Sequence, residues 1–389
     1  MLVYQNGAFR PGTRNGAVSM QMALRWFGPG FDPVSLEHIR QIPGVSGVVT
    51  TLHDMTPGAV WPVERIRALK MAIERAGLRV LGIESVNVPD SIKAGLPGRD
   101  RDIDAYVETL SRLGREGIRL VCYNFMPVFD WTRTSLAKIR EDGATVFAYD
   151  RQLIDSIDPL SMFDRLDSGS NGYLLPGWEP ERMRTIRELF EVYEHIDTEA
   201  LFRNLEYFLT AIMPVCETYG ITMALHPDDP AWPVFGLPRI AVNGENLERI
   251  VRMVDSPWNA IALCSGSLGT NPSNDIPAII RSLSGKIAFA HVRNIRQIAP
   301  GSFEEAAHLS SDGSLDMYEI MRALHETGFD GVMRPDHGRG IWGEVSIPGY
   351  GLYDRAIGAS YLLGLWEALS KTSPKASAPA RGTAVPQPG

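Results

Sequence analysis

Eight short apolar runs, separated by longer amphipathic stretches, constrain this chain more than any other feature. The runs are 20–26 (MQMALRW), 47–53 (GVVTTLH), 79–85 (RVLGIES), 118–125 (IRLVCYNF), 221–226 (ITMALH), 260–264 (AIALC), 286–291 (KIAFAH) and 331–336 (GVMRPD). Most are continuous rather than alternating, the pattern of parallel strands covered on both faces. Between them, 62–76, 102–116, 198–219, 273–283 and 314–327 place apolar residues at helical spacing, and Gly77, Gly220 and Gly328 follow three of these stretches as helix stops. Eight strand–helix pairs predict an α/β fold, a (β/α)8 TIM barrel. An open doubly wound sheet is the other arrangement this alternation permits.

The rhythm breaks after the fourth strand, where about 95 residues precede the fifth. Residues 126–197 are rich in Trp, Arg, Asp and Pro and leave the C-terminal end of that strand, so they are expected to cover the barrel mouth or decorate its edge. The barrel domain is expected over 20–370, with 1–19 as a loose N-terminal arm and 371–389 as a disordered Pro/Ala-rich tail. Three cysteines in 389 residues argue against a disulfide framework and for a reducing compartment. No apolar run approaches the roughly 20 residues of a membrane span, and the N-terminus lacks a signal-peptide core, so a cytoplasmic protein is expected. The formal charge of -8 disfavours nucleic acid or an anionic membrane as partner. It leaves room for an anionic small molecule held by local arginines.

Four potential metal ligands stand at the ends of four consecutive predicted strands: His226, Cys264, His291 and Asp336. Their separations of 38, 27 and 45 residues are about one strand–helix unit each. A lone His after a strand is more often a hydrogen-bonded structural residue, and a lone Cys in an apolar strand is more often core filler. In a barrel, however, the C-terminal strand ends converge on one mouth, where four such side chains can meet around one ion. Two imidazoles, a thiolate and a carboxylate suit Zn²⁺, Fe²⁺, Mn²⁺ or Co²⁺, whereas Mg²⁺ and Ca²⁺ reject the thiolate.

Asp336 lies in the densest polar cluster, Arg334-Pro335-Asp336-His337-Gly338-Arg339. His337 adjoins a predicted ligand, where a proton-transfer group can reach a bound substrate. Arg334 and Arg339 flank it, and a guanidinium can hold a carboxylate through two parallel hydrogen bonds, although arginines at strand ends also pair with acidic neighbours. Arg25, Asn124 and Arg293, also near strand ends, complete the candidate substrate contacts. Nucleotide-cradling glycine loops, a serine-nucleophile elbow and C-x-x-C pairs are absent from the sequence.

The stretches 32–50 (DPVSLEHIRQIPGVSGVVT), 119–134 (RLVCYNFMPVFDWTRT), 224–240 (ALHPDDPAWPVFGLPRI), 303–319 (FEEAAHLSSDGSLDMYE), 333–339 (MRPDHGR) and 348–356 (PGYGLYDRA) resemble the mannonate dehydratase family, in order from about Met20 to about Leu369. The resemblance implies a xylose-isomerase-like barrel and a hydro-lyase of hexuronate (glucuronate) catabolism that converts D-mannonate to 2-keto-3-deoxy-D-gluconate. It implies Mn²⁺ or Fe²⁺ on the positions of His226, Cys264, His291 and Asp336, acid/base residues at His337 and Tyr350, and a homo-oligomer. One departure is Gly58-Ala59-Val60-Trp61, where the family reads G-E-V-W.

Such a dehydration takes the proton from C2 and expels hydroxide from C3. A C–H beside an ionised carboxylate is very weakly acidic, because removing its proton builds a second negative charge; a bound cation can spread that charge. One group must accept the C2 proton and another must protonate the departing hydroxyl. A metal-dependent sugar isomerase or epimerase would use the same scaffold, and a sugar-acid-binding protein without catalysis would be expected to have lost part of the quartet.

Overall fold

In a computed structural model, described over residues 20–156, 186–345 and 347–372, all eight apolar runs become strands of one closed parallel barrel. They are β1 (Gln21–Arg25), β2 (Val45–Thr50), β3 (Arg79–Glu84), β4 (Leu120–Tyr123), β7 (Thr222–Leu225), β8 (Asn259–Cys264), β9 (Ile287–His291) and β12 (Val332–Arg334). Each pairs with its neighbour in chain order, and β1 closes the ring on β12 through Gln21 and Met22 against Val332 and Met333. The barrel alternative is thereby the one adopted, and the open sheet is not.

The strands are continuous apolar runs because both faces are covered. Inward positions, Ala23, Val49, Cys122, Ala224, Ala262 and Phe289 among them, fill the interior with mostly small side chains. Outward positions pack against the surrounding helices in the main core. The helix Thr198–Tyr219 starts where Asp197 accepts the amide of Ala200, and it stops at Gly220, whose φ of +64° a residue with a Cβ adopts only at a cost.

The residues after β4 do leave the barrel. Their described part forms a hairpin of β5 (Ser135–Ile139) and β6 (Thr145–Tyr149), followed by the helices Arg151–Ser156 and Ile186–Tyr193. A second excursion, β10 (Ile295–Ala299) and β11 (Ser302–Glu305), follows β9 and has no counterpart in the sequence expectations. The two hairpins join as one antiparallel sheet, β10-β11-β6-β5, through Phe303 opposite Tyr149 and Glu304 opposite Ala148. β10 and β11 are short and polar on one face, so no long apolar period announces them. Beneath the small sheet lies a second core of Phe129, Leu136, Phe147, Tyr149, Ile295 and Phe303, which also takes in Tyr350. The N-terminal arm and the Pro/Ala-rich tail lie outside the described residues, apart from Lys371 and Thr372 at the end of the last helix. Among the described residues, no helix is long and apolar enough to cross a membrane.

Candidate metal centre and active site

Parallel register brings the predicted ligands together. Cys264 ends β8 directly opposite His291, which ends β9 and pairs in turn with Arg334 of β12. His226 follows β7, the strand on the other side of β8. One ligand atom from each of His226, Cys264 and His291 lies within 4.8 Å of the others. Asp336 stands beside the group, with an oxygen 3.7 Å from the Cys264 sulfur. It reaches inward because its backbone turns into the left-handed region at φ +58°, a conformation Asp tolerates better than most residues.

The donor set fits a borderline divalent ion. The His226 Nδ1 sits 2.6 Å from the Pro227 carbonyl oxygen, an arrangement that places its proton there and leaves Nε2 as the ligand nitrogen. The Cys264 sulfur accepts from the Ser267 amide at 3.4 Å and from the Ser267 hydroxyl at 3.1 Å. Among the described residues, the buried His291 Nε2 has no hydrogen-bond partner. Burial and the Arg334 guanidinium push the His291 pKa well below its usual value, which keeps the ring neutral and able to ligate. Burial opposes ionisation of Asp336, but the guanidinium groups of Arg334 and Arg293 outweigh it and hold the carboxyl well below the usual carboxylate range. These groups can hold a metal ion.

Glu84, Cys122, Asp229, Glu305 and Arg133 belong to the same region and were not singled out from sequence. Glu84 ends β3, and one of its oxygens accepts from Arg25 at 3.0 Å and Arg334 at 2.6 Å. Its other oxygen is buried, has no hydrogen-bond partner among the described residues and lies 3.7 Å from His291 Nε2. The strand-end criterion that selects Cys264 would have selected Glu84 too. Asp229 lies in a loop and Glu305 ends β11, and only the fold brings them to this region.

His337 and Tyr350 meet beside this centre. The His337 ring is walled by Trp131, Phe147 and Tyr350, with centroids 6.0, 5.6 and 4.9 Å away. The Tyr350 hydroxyl accepts the indole N–H of Trp131 at 3.2 Å, and the Arg25 guanidinium carbon sits 4.0 Å from the centre of its ring. Burial pushes the His337 ring well below its usual pKa and raises that of the Tyr350 phenol. At neutral pH the pair is an uncharged imidazole beside a protonated phenol.

A cavity of about 350 Å³ opens onto both groups. Arg25, Asn124 and Arg293 border it, together with Trp131 from the segment after β4, whereas Arg334 and Arg339 do not. Arg293 is committed to the carboxylates of Asp229, Glu305 and Asp336. Arg334 binds Glu84 and pairs with Asp336, and Arg339 binds Asp354 and Asp142. Most of the arginine charge expected for the substrate is therefore spent inside the protein.

The model of the D-mannonate dehydratase (UxuA) family matches residues 20–376. A mannonate dehydratase of Brachyspira hyodysenteriae is 65% identical over 352 residues, covering 90% of this chain and 99% of that protein. The crystal structure of mannonate dehydratase from Streptococcus suis serotype 2 superposes with a TM-score of 0.82 at 42% identity, covering 90% of this chain and 95% of that one. A xylose isomerase domain protein from Alicyclobacillus acidocaldarius shares the fold, with a TM-score of 0.51 at 16% identity over 91% of this chain and all of that one.

Proposed function

The chain belongs to the D-mannonate dehydratase family, and on that footing we propose that it removes water from D-mannonate to give 2-keto-3-deoxy-D-gluconate. The observation that supports this reading is the convergence, at one cavity, of the His226, Cys264 and His291 donors, with Asp336 next to Cys264, and a histidine–tyrosine pair beside them.

His226, Cys264, His291 and Asp336 would hold a divalent ion, Mn²⁺ or Fe²⁺, given the one thiolate among nitrogen and oxygen donors. When bound, the ion supplies Lewis acidity that stabilises the negative charge developing next to the substrate carboxylate. The remaining chemistry belongs to the chain. His337, neutral and walled by aromatic rings, accepts the C2 proton. Tyr350 spends an oxygen lone pair on the Trp131 indole, so its own proton is free for the departing C3 hydroxyl. The aromatic wall excludes competing water, and the enol so formed tautomerises to the 2-keto acid. Arg25 and Asn124 border the cavity as contacts for the sugar acid.

The deciding experiment incubates the metal-loaded protein with a panel of aldonic acids and follows product mass. Loss of one water from D-mannonate, with a product reacting as a 2-keto-3-deoxy acid, is expected. A product of unchanged mass would make the protein an isomerase or epimerase instead.

A further inference from the structure

Tyr350 sits in the left-handed region at φ +74°, a conformation that favours glycine and that a bulky aromatic keeps only where its surroundings impose it. Its loop is tied down on both sides. Downstream, Glu344 accepts the amides of Leu352 at 2.6 Å and Tyr353 at 3.2 Å, where the last helix, Tyr353–Thr372, begins. Upstream, Gly349 packs so closely on the end of β1 that a Cβ would stand 2.5 Å from the Arg25 carbonyl oxygen and 2.7 Å from the Asp32 carboxylate. The loop backbone is pressed against the strand whose last residue, Arg25, lays its guanidinium over the Tyr350 ring.

One side chain joins the two backbones. Arg355, in the first turn of that helix and 1% exposed, donates its Nε–H to the Gly351 carbonyl and an Nη1–H to the Arg25 carbonyl at 2.9 Å. The first bond alone would be a local contact at a helix start. The second spans 330 residues and makes the side chain a tie between the residue after Tyr350 and the residue whose guanidinium covers it. A guanidinium is a planar fork of fixed span, so it sets the distance between the two carbonyls it holds. Burial works against this cation, and the Asp32 carboxylate, which accepts the amides of Phe27 at 3.1 Å and Val34 at 3.0 Å, is its main support. A buried charge kept on two neutral carbonyls is costly, which argues for a task at this point of the fold. We propose that Arg355 is a positioning residue that fixes the Tyr350 loop against Arg25 at the end of β1 and so holds the phenol hydroxyl at the cavity beside Trp131. This rests on the reading of Tyr350 as the group that protonates the departing hydroxyl. Arg355 does not border the cavity, so it acts through the loop and not on the substrate.

Two readouts on the metal-loaded, full-length protein test this. The first is a kinetic cycle. Arg355→Met keeps most of the volume and removes both hydrogen bonds. It should lower kcat on D-mannonate by about 10-fold, with KM and metal content little changed, yet alter the residual turnover of Tyr350→Phe by less than about twofold. The second readout is independent of turnover and uses diamagnetic Zn²⁺. The Trp131 indole N–H, which donates to the Tyr350 hydroxyl at 3.2 Å, gives a ¹H–¹⁵N signal that Trp131→Phe assigns among the 8 tryptophans. Arg355→Met should move that signal in the direction in which Tyr350→Phe moves it. Should Arg355→Met fail to accumulate folded, Arg355→Lys keeps the charge but reaches only one of the two carbonyls, and the same pattern is expected with smaller amplitude. An unmoved Trp131 signal overturns the proposal. So does a variant with the parent kcat, however much thermal stability it loses, or an equal loss of kcat in both backgrounds. The aldonic-acid assay on the parent protein is separate: if no acid loses water there, the proposed reaction falls, and the Trp131 signal alone decides whether Arg355 positions Tyr350.

Discussion

Cys264 and His291 face one another as a register pair on the neighbouring parallel strands β8 and β9, each the last residue of its strand. Side chains at paired positions of adjacent strands point to the same face, so both enter the barrel mouth from fixed backbone. Under the proposed reading, donors set on strands in this way decide which ion is retained.

Chelation should abolish turnover, and Mn²⁺ or Fe²⁺ should restore it while Ca²⁺ does not, because a hard cation gains little from sulfur. Elemental analysis and product formation on the same samples check this. Full turnover in excess chelator, with no metal detected, would remove the ion from the mechanism.

Cys264→Ser should lose metal more than it loses stability. The hydroxyl is nearly the same size and can still take the Ser267 donors, yet it is a poor anionic ligand at neutral pH. Metal stoichiometry beside a thermal melt separates the two effects. A variant that retains metal as tightly as the parent would make Cys264 core filler.

His337→Asn and Tyr350→Phe should each lower kcat by about 10²-fold or more while metal content and folding stay near normal. Tyr350→Phe removes only the hydroxyl that Trp131 meets, so its effect is the cleaner of the two. Metal loss in step with activity in the His337 variant, with a fully active Tyr350 variant, would reassign both residues to structure.

Arg133→Met should destabilise the fold by about 3–5 kcal/mol, since it leaves Asp229 and Glu305 with half their buried cations. Urea unfolding of parent and variant reads this. A difference under about 1 kcal/mol would mean that water or a neighbour replaces the guanidinium.

Gly338→Ala should cost stability and metal together, on the scale of about 1–3 kcal/mol for an overpacked site. A Cβ there would lie 2.0 Å from the Asp354 carboxylate, which already accepts the Arg339 amide. The backbone between Asp336 and Arg339 would have to shift and would carry the ligand with it. Unfolding curves and metal content indistinguishable from the parent would show that Asp354 yields instead.

Local chemistry suffices for the eight barrel strands and for placing His226, Cys264, His291 and Asp336 near one end of the barrel. Continuous apolar runs mark buried parallel strands, and the residue that ends each run marks the mouth. Glu84 was equally legible by that rule, since it closes the apolar run of β3 as Cys264 closes that of β8. The Arg133–Asp229–Arg293–Glu305 set was not. Its members lie up to 172 residues apart, and Arg133, Asp229 and Glu305 read in sequence as ordinary surface charges. Charge pairing over such a separation depends on the β6–β11 contact, which no local period encodes. The same holds for the arginines. The sequence by itself determined that Arg293, Arg334 and Arg339 lie near the C-terminal ends of barrel strands. Only the tertiary structure decided that their charges are consumed by buried carboxylates, because a guanidinium taken out of water must find its counter-charge wherever the fold supplies one.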